Sequence, residues 1–356
     1  MYDPRMDEKP LPVRGRGAQS NPDNRFSAEA RERDLDAELE APSPRTELLD
    51  DHTREIIAWN NSPDVGFRAS VNPYRGCEHG CIYCYARPLH EYLGFSAGLD
   101  FETKIVVKRD APTLLRAALA RPDWEPQIVA VSGATDAFQP IERKLELTRA
   151  CLGVFAEFHN PVAVITKNYL VTRDIDRLAA LAEHGAVAVV LSITTLNPEL
   201  ARAMEPRASR PQRRLQAVRE LRAAGIPVGV NLAPIVPGLT DEEIPTLIEA
   251  SGDAGAQFIN LLILRLPHGV KELFTQWLAA YAPARKDKVL ARIRDVRGER
   301  LNDPRFGARL KGEGLYAKQI HALFDSACRR HGVSSAMPAL STAAFRRPNA
   351  QLSLEL

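Results

Sequence analysis

The chain has 356 residues, 45% of them hydrophobic and 26% charged, with a formal net charge of +2. Such a chain can bury a substantial core, and its balance excludes collagen-like, low-complexity and strongly acidic disordered classes. No apolar run is long enough to span a bilayer, the opening MYDPRMDEKP lacks a signal-peptide core, and five cysteines, an odd number, do not form a secreted disulfide framework, so the expected location is the cytosol.

Residues 1–62 are polar, rich in Pro, Arg and Glu, and without sustained apolar periodicity. A segment of this composition does not repay its ordering entropy, which predicts a mobile arm with one helix near TELLDDHTREIIAW, residues 46–59. From Phe67 onward short β-branched runs alternate with amphipathic stretches, the pattern of βα units on a parallel sheet. Candidate strands cover residues 67–72, 127–133, 162–167, 187–194, 227–235 and 258–264. Between them the periodicity predicts helices at Ala111 to Leu119, Ile141 to Phe158, Thr172 to His184, Pro211 to Ala224 and Asp241 to Ala254. The start signals are Thr172 with Asp174 and Asp176 in the first turn, Pro211 at a first helical position, and Thr240 with Glu243 as a capping box.

Strands apolar on both faces, joined by right-handed crossovers, predict an α/β fold: a partial (β/α)6 TIM-like barrel. A doubly wound open sheet is the alternative, but it wants a Gly-rich phosphate turn where this chain has cysteines. In a barrel, chemistry sits at the C-terminal strand ends. Cys77, Ser132 to Asp136, Lys167, Ser192 to Thr195 and Ala233 to Pro237 all fall at or just past those ends. After Pro267 the β signals stop and helices are expected at Val270 to Tyr281, Arg285 to Val296 and Tyr316 to His331. The expected organisation is an arm (1–62), a core (63–266), a small helical extension (267–350) and a tail peptide (351–356).

Charge is uneven along the chain. Acidic residues dominate from about Glu29 to Glu55 and basic ones from Arg285 to Lys311. A solvated surface and contact with an anionic polymer such as DNA are both open readings of the basic run. In the tail, Gln351, Leu354 and Leu356 fit a Q-x-x-L-x-[FL] pattern resembling peptides that dock on the bacterial replication sliding clamp, a pattern short enough to arise by chance.

Three cysteines fall within eight positions: Cys77, Cys81 and Cys84, spaced C-x3-C-x2-C in GCEHGCIYCYARP. Three thiolates on one tight loop suit three irons of a [4Fe–4S] cluster and leave the fourth iron open to a ligand, which marks a catalytic rather than a structural site. Competing readings are a zinc site completed by His79 or His90 and an electron carrier completed by Cys151 or Cys328. Both of those cysteines lie in amphipathic helical stretches, where a buried apolar thiol is the ordinary explanation.

The cysteine spacing, Tyr83 before the third cysteine, and the six-fold βα repeat that follows resemble the radical S-adenosylmethionine (SAM) superfamily over roughly residues 67 to 266. Within it the chain is most similar to the spore photoproduct lyase-like, or DNA repair photolyase-like, group, through GCEHGCIYCY, ITK ending the third strand, LSITT ending the fourth, EPR at 205–207 and LAPI ending the fifth. The resemblance implies that the amino and carboxylate groups of SAM chelate the open iron. One electron from a flavodoxin- or ferredoxin-type donor then cleaves a carbon–sulfur bond, giving methionine and a 5′-deoxyadenosyl radical that abstracts hydrogen from a substrate. It further implies that Ser132, Gly133, Ala134 and Asp136 hold the methionine ammonium, with Asp136 as charge partner. Lys167 would face the carboxylate, Ser192 and Thr194 the ribose, and Tyr83 with Ala233, Pro234 and Ile235 the adenine. Glu205 and Arg207 form a buried pair or face the substrate.

One departure is plain. The lyases of the group lead one to expect a hydrogen-donating cysteine near the end of the second strand, where VSGATDAFQP has none. The expected function is thus a radical SAM enzyme acting on an unidentified substrate, DNA or a nucleotide among the possibilities. A radical SAM modification of a peptide or metabolite, and a non-catalytic iron–sulfur protein that binds nucleic acid or senses redox state, are the alternatives.

Overall fold

The computed structural model describes residue 13, residues 15–27 and residues 44–348. Its strands are β1 (Glu47–Asp50), β2 (Ile57–Trp59), β3 (Ala69–Val71), β4 (Tyr74–Arg75), β5 (Lys104–Val107), β6 (Val129–Val131), β7 (Val162–Thr166), β8 (Val187–Ser192), β9 (Val228–Ile235) and β10 (Phe258–Ile263). The helices are α1 (Leu99–Thr103), α2 (Ala111–Ala120), α3 (Glu142–Leu145), α4 (Leu147–Phe158), α5 (Ile175–Ala182), α6 (Pro198–Met204), α7 (Pro211–Ala223), α8 (Ile244–Asp253), α9 (Val270–Tyr281), α10 (Lys286–Asp295), α11 (Ala308–Lys311) and α12 (Gly314–His331).

The main sheet runs in the order β10-β9-β8-β7-β6-β3-β2, parallel from β3 to β10, with β2 antiparallel on one edge. Spatial order follows chain order, as right-handed βα units dictate. No ladder joins β2 to β10 among the described residues, so the sheet is open at that seam. Strand β8, Val-Ala-Val-Val-Leu-Ser, is buried at every position because both sheet faces are covered. Each such valine withdrawn from water contributes about 1.5–3 kcal/mol. Between β9 and β10 the packing is close enough that a Cβ on Gly229 would lie 2.3 Å from the Phe258 ring.

Three helix starts differ from expectation, and in each a side chain found a stronger partner. The stretch 141–158 breaks at Glu146 (φ 53°), because the Glu142 carboxylate turns inward and accepts from the Thr148 and Arg149 N–H groups at the start of α4. Thr172 does not cap: Asn168 Oδ1 accepts from Leu170 N, and a 3-10 turn (Tyr169–Asp174) precedes α5. The Thr240 and Glu243 box does not form, since Thr240 Oγ1 accepts from Val236 N while the Glu243 carboxylate binds Thr195 Oγ1 and Leu196 N. Helix α6 escaped the periodicity, although its Asn-Pro-Glu start is a complete signal. Asn197 Oδ1 accepts from Glu199 N and Leu200 N, and Pro198 opens the helix.

The helix expected within the N-terminal arm is also corrected. Residues 46–59 hold no helix. They form β1 and β2, separated by a turn in which Asp51 Oδ1 accepts from Thr53 N, and β1 joins β5 and β4 in a second small sheet. Residues 15–27 pack against the segment 91–102, with Arg16, Ala18 and Asn24 buried. The remainder of the arm and the tail 351–356, with Gln351, Leu354 and Leu356, lie outside the described residues. Beyond β10 the chain carries α9 to α12, and α12 packs into the main core through Ala317, Ile320, Phe324 and Ala327.

Candidate active site

Cys77, Cys81 and Cys84 sit on the loop between β4 and a 3-10 turn at Arg87–Leu93, and the loop is pinned from every side. Cys77 N donates to Phe101 O (2.8 Å), Ile82 N to Met204 O at the end of α6 (3.0 Å), and Cys84 N to Cys81 O (3.1 Å). Gln139 spans the loop, accepting from Glu78 N and donating to Gly76 O. Arg87, wholly buried, donates to Cys81 O and pairs with the buried carboxylate of Glu102. That same carboxylate accepts from Gly17 N and Ala18 N, which lays the N-terminal segment over the outside of the loop. The contact is backbone to backbone: a Cβ on Gly17 would lie 1.8 Å from Gly80 O.

All three thiols open on one cavity of about 270 Å³ at the C-terminal ends of the strands. Its lining includes Tyr83, Ser132, Gly133, Ala134, Thr135, Asp136, Lys167, Ser192, Ala233 and Pro234. The fold therefore brings together nine of the eleven residues assigned to SAM. Ile235 is buried in the core, and Thr194 lies behind the wall, with its hydroxyl shared among Tyr83, Glu205 and Ala233 O. Ser132 and Gly133 both take positive φ (98° and 76°), so the chain turns sharply off β6 and presents backbone to the cavity. For serine such a φ is strained, a kind of strain that concentrates at functional sites.

Below the cavity lies a buried charge network centred on Glu205. Its carboxylate pairs with Arg214 of α7 and with Lys167 Nζ (3.2 Å), and accepts from the hydroxyls of Tyr83 and Thr194. Burial by itself would raise the pKa of Glu205, but Arg214 and Lys167 hold it well below the usual range. Lys167 Nζ also donates to Ala233 O (2.8 Å) and sits 5.5 Å from the centre of the Tyr83 ring. Arg207 does not pair with Glu205. It reaches back to Glu78 in the cysteine loop (3.1 Å), so the Glu-Pro-Arg segment braces the loop at two points.

Asp136 is already committed. It accepts from Phe138 N, Lys167 N and Thr166 Oγ1 and faces His79 Nδ1 at 3.4 Å. Burial works to raise its pKa, yet His79 and the amide donors lower it on balance, so it stays ionised. Asn168 settles the His79 tautomer. Its Oδ1 is taken by Leu170 N and Ser209 Oγ, so its Nδ2 donates to His79 Nε2 and the ring proton is on Nδ1, towards Asp136. His79 is therefore spent on positioning and not available as a zinc ligand. His90, buried between Phe95 and Phe101, lines no part of the cavity, and burial pushes its pKa down to about 4.

Cys151 and Cys328 lie in the core under α4 and α12, away from the loop. Burial raises the thiol pKa of Cys77, Cys81 and Cys84. Three thiols of one loop facing one cavity, those of Cys77 and Cys81 buried and that of Cys84 half-buried, match the donor set of a [4Fe–4S] cluster, whose iron would offset the desolvation of the thiolates. No group of three or more His, Cys, Asp or Glu converges on a point among the described residues. A cubane needs no such convergence, because each thiolate takes a different iron.

Lining residues that the sequence reading missed are Asn231, Tyr85 and Arg265. Asn231 was visible as the polar residue inside Val-Gly-Val-Asn-Leu, while nothing local marked Tyr85 or Arg265 as lining the cavity. Of the basic run, Arg297 is buried against the carbonyls of Ile263, Leu264 and Ala308. Arg292, Arg305 and Arg309 are paired with Asp295, Asp303 and Asp64, and Lys288 faces Glu242, which weakens its reading as a phosphate-binding surface.

An α/β sheet with a three-cysteine loop at the mouth of its strands defines an iron–sulfur protein with a ligand cavity at the cluster. The model of the radical SAM superfamily matches residues 71–250, half of the chain, and the chain belongs to that superfamily. Its cofactors are a [4Fe–4S] cluster and SAM. An uncharacterised protein of Mycobacterium tuberculosis is 37% identical over 238 residues, covering 66% of this chain and 69% of that one. Another, of Methanocaldococcus jannaschii, is 28% identical over 178 residues, covering 50% and 64%. A structure of spore photoproduct lyase complexed with dinucleoside spore photoproduct superposes with a TM-score of 0.57 at 15% identity, covering 80% of this chain and 79% of that one, a likeness of fold. No helix among the described residues is long and apolar enough to cross a membrane.

Proposed function

We propose that this chain is an enzyme that cleaves SAM reductively and takes a hydrogen atom from an organic substrate held above the Cys77 to Cys84 loop. The observation that carries this reading is the single cavity lined both by all three cysteines and by the ends of the parallel strands. When bound, the cluster and SAM supply the electron and the carbon-centred hydrogen abstractor, and a flavodoxin- or ferredoxin-type protein reduces the cluster. Cys77, Cys81 and Cys84 hold three irons.

The backbone of 132–135 is the receptor for the methionine ammonium, and Gly133 lets it approach closely. Ser192 and Asn231, whose side chains make no hydrogen bond among the described residues, take the ribose hydroxyls. Tyr83, Ala233 and Pro234 face the adenine. Lys167 acts on the methionine carboxylate as a fixed charge, since its donors are held by Ala233 O and Glu205. Asp136 keeps His79 and the start of the 167–169 turn in place.

The spore photoproduct lyase structure holds a dinucleoside spore photoproduct. This chain ends β6 in Ser132, Gly133 and Ala134, and Cys77, Cys81 and Cys84 are the cysteines that line the cavity among the described residues. The substrate radical is therefore quenched by another route than a thiol on that strand, which argues for a substrate outside that repair reaction.

The test is anaerobic reconstitution with iron and sulfide, reduction, and measurement of 5′-deoxyadenosine and methionine from SAM. Wild-type protein forms both in equal amounts and Cys81→Ala forms neither. Fully loaded wild type that forms none, or a Cys81→Ala protein that still forms it, ends the reading.

A further inference from the structure

We propose that Arg265 binds an oxyanion of the substrate, a phosphate or a carboxylate, at the rim of the cavity; this rests on the reading above and names a substrate feature for it. Of the charged residues that line the cavity, Asp136, Lys167 and His79 all have partners within the protein. Arg265 makes no ion pair or hydrogen bond among the described residues. It is half-buried, two residues beyond β10, with its guanidinium carbon 4.1 Å from the centre of the Tyr85 ring. The Tyr85 hydroxyl in turn donates to Gly133 O, so the ring that carries the guanidinium is anchored to the turn after β6.

The acidic groups whose charge reaches Arg265 are Tyr85, Cys84 and Asp64: the Tyr85 hydroxyl is on Gly133 O, Cys84 belongs to the cluster loop, and Asp64 is already bound to Arg309 and to Gly307 N (2.6 Å). A partly desolvated guanidinium with no acceptor leaves a fixed arrangement of donors and an unbalanced positive charge. An oxyanion supplies both the acceptors and the charge, with two parallel N–H···O bonds where the group is planar or tetrahedral.

Position assigns that anion to the substrate. Lys167 ends β7 and Arg265 follows β10, three strand spacings away in the sheet, or roughly 14 Å at 4.8 Å per strand. With the methionine carboxylate on Lys167, SAM has no second anion to offer Arg265, since its adenosine and sulfonium carry none. Beyond the cysteine loop the lining includes Val65 and Phe67, between β2 and β3, and Leu310 of α11.

The experiment is arginine labelling by phenylglyoxal on the reconstituted, SAM-saturated holoenzyme under anaerobic conditions, mapped by peptide mass. Exposed Arg294 is the internal reference. Millimolar inorganic phosphate is expected to slow labelling of Arg265 roughly tenfold, the effect of one charge-assisted contact, and to leave Arg294 unchanged. Protection by phosphate alone assigns a phosphate-bearing substrate; equal protection by acetate assigns a carboxylate. The proposal is overturned if neither anion protects, if Arg265 is inert before any anion is added, or if SAM by itself gives the full protection, which would put the guanidinium on the cofactor. Formation of 5′-deoxyadenosine is read separately, so loss of this proposal leaves the radical chemistry standing.

Discussion

Replacing Arg214 with methionine keeps most of the side-chain volume and strips Glu205 of its closest counter-charge. Both members of the pair are about 1% exposed, so the carboxylate has no water to fall back on. Removing one partner of a buried pair costs about 3–5 kcal/mol. Lys167 remains 3.2 Å from Glu205 and two hydroxyls still donate to it, which places the expected loss near the lower end, about 3 kcal/mol. Urea titrations of wild-type and variant apo-protein, followed by circular dichroism, measure it.

The sign with pH is specific. In the wild type the folded pKa of Glu205 lies below that of a free glutamate, so its contribution is complete above about pH 4.3 and is lost as pH falls through the folded value. In Arg214→Met, burial is offset only by Lys167 and the two hydroxyls, the folded pKa rises, and the variant gains relative stability on acidification. The gap between the two proteins should narrow from pH 7 to pH 5, and the double variant Glu205→Gln with Arg214→Met should lose less than Arg214→Met alone. A gap below about 1 kcal/mol at pH 7, or one that does not change with pH, would refute the reasoning.

Gly17→Val places side-chain atoms against Gly80 O and lifts the N-terminal segment from the cysteine loop; bleaching of the cluster absorbance in air should accelerate severalfold, with anaerobic iron content unchanged. Gly229→Ala forces a methyl into the Phe258 ring and should cost about 1–3 kcal/mol in a urea titration. Cys151→Ala removes a buried thiol from the core and should cost about 1 kcal/mol while the reconstituted iron content stays that of the wild type; a fall in iron would reinstate Cys151 as a ligand.

The strands of the core were legible because both sheet faces are covered, which writes unbroken apolar runs such as Val187 to Leu191 into the sequence. The cysteine loop was legible from spacing alone. What escaped were features decided by distant partners. Glu142 reads as an ordinary helical residue until Thr148, Arg149 and Arg173 are seen around its carboxylate. Arg214 looks like one more polar residue of Pro-Gln-Arg-Arg, yet it is the counter-charge under the active site. The packing of residues 15–24 escaped for a related reason. Residues 15–24 bury little apolar surface of their own and are held by polar contacts with the segment 91–102, the buried Glu102 carboxylate and Asp100 among them, partners some 80 positions on that no local pattern announces.

That long reach also sets an order of events. Closing a loop of 85 residues carries a large entropic cost, and the segment 15–27 spends it on a few hydrogen bonds, so it should dock last during synthesis and detach first in the native state. Until it docks, the outer side of the cysteine loop faces solvent.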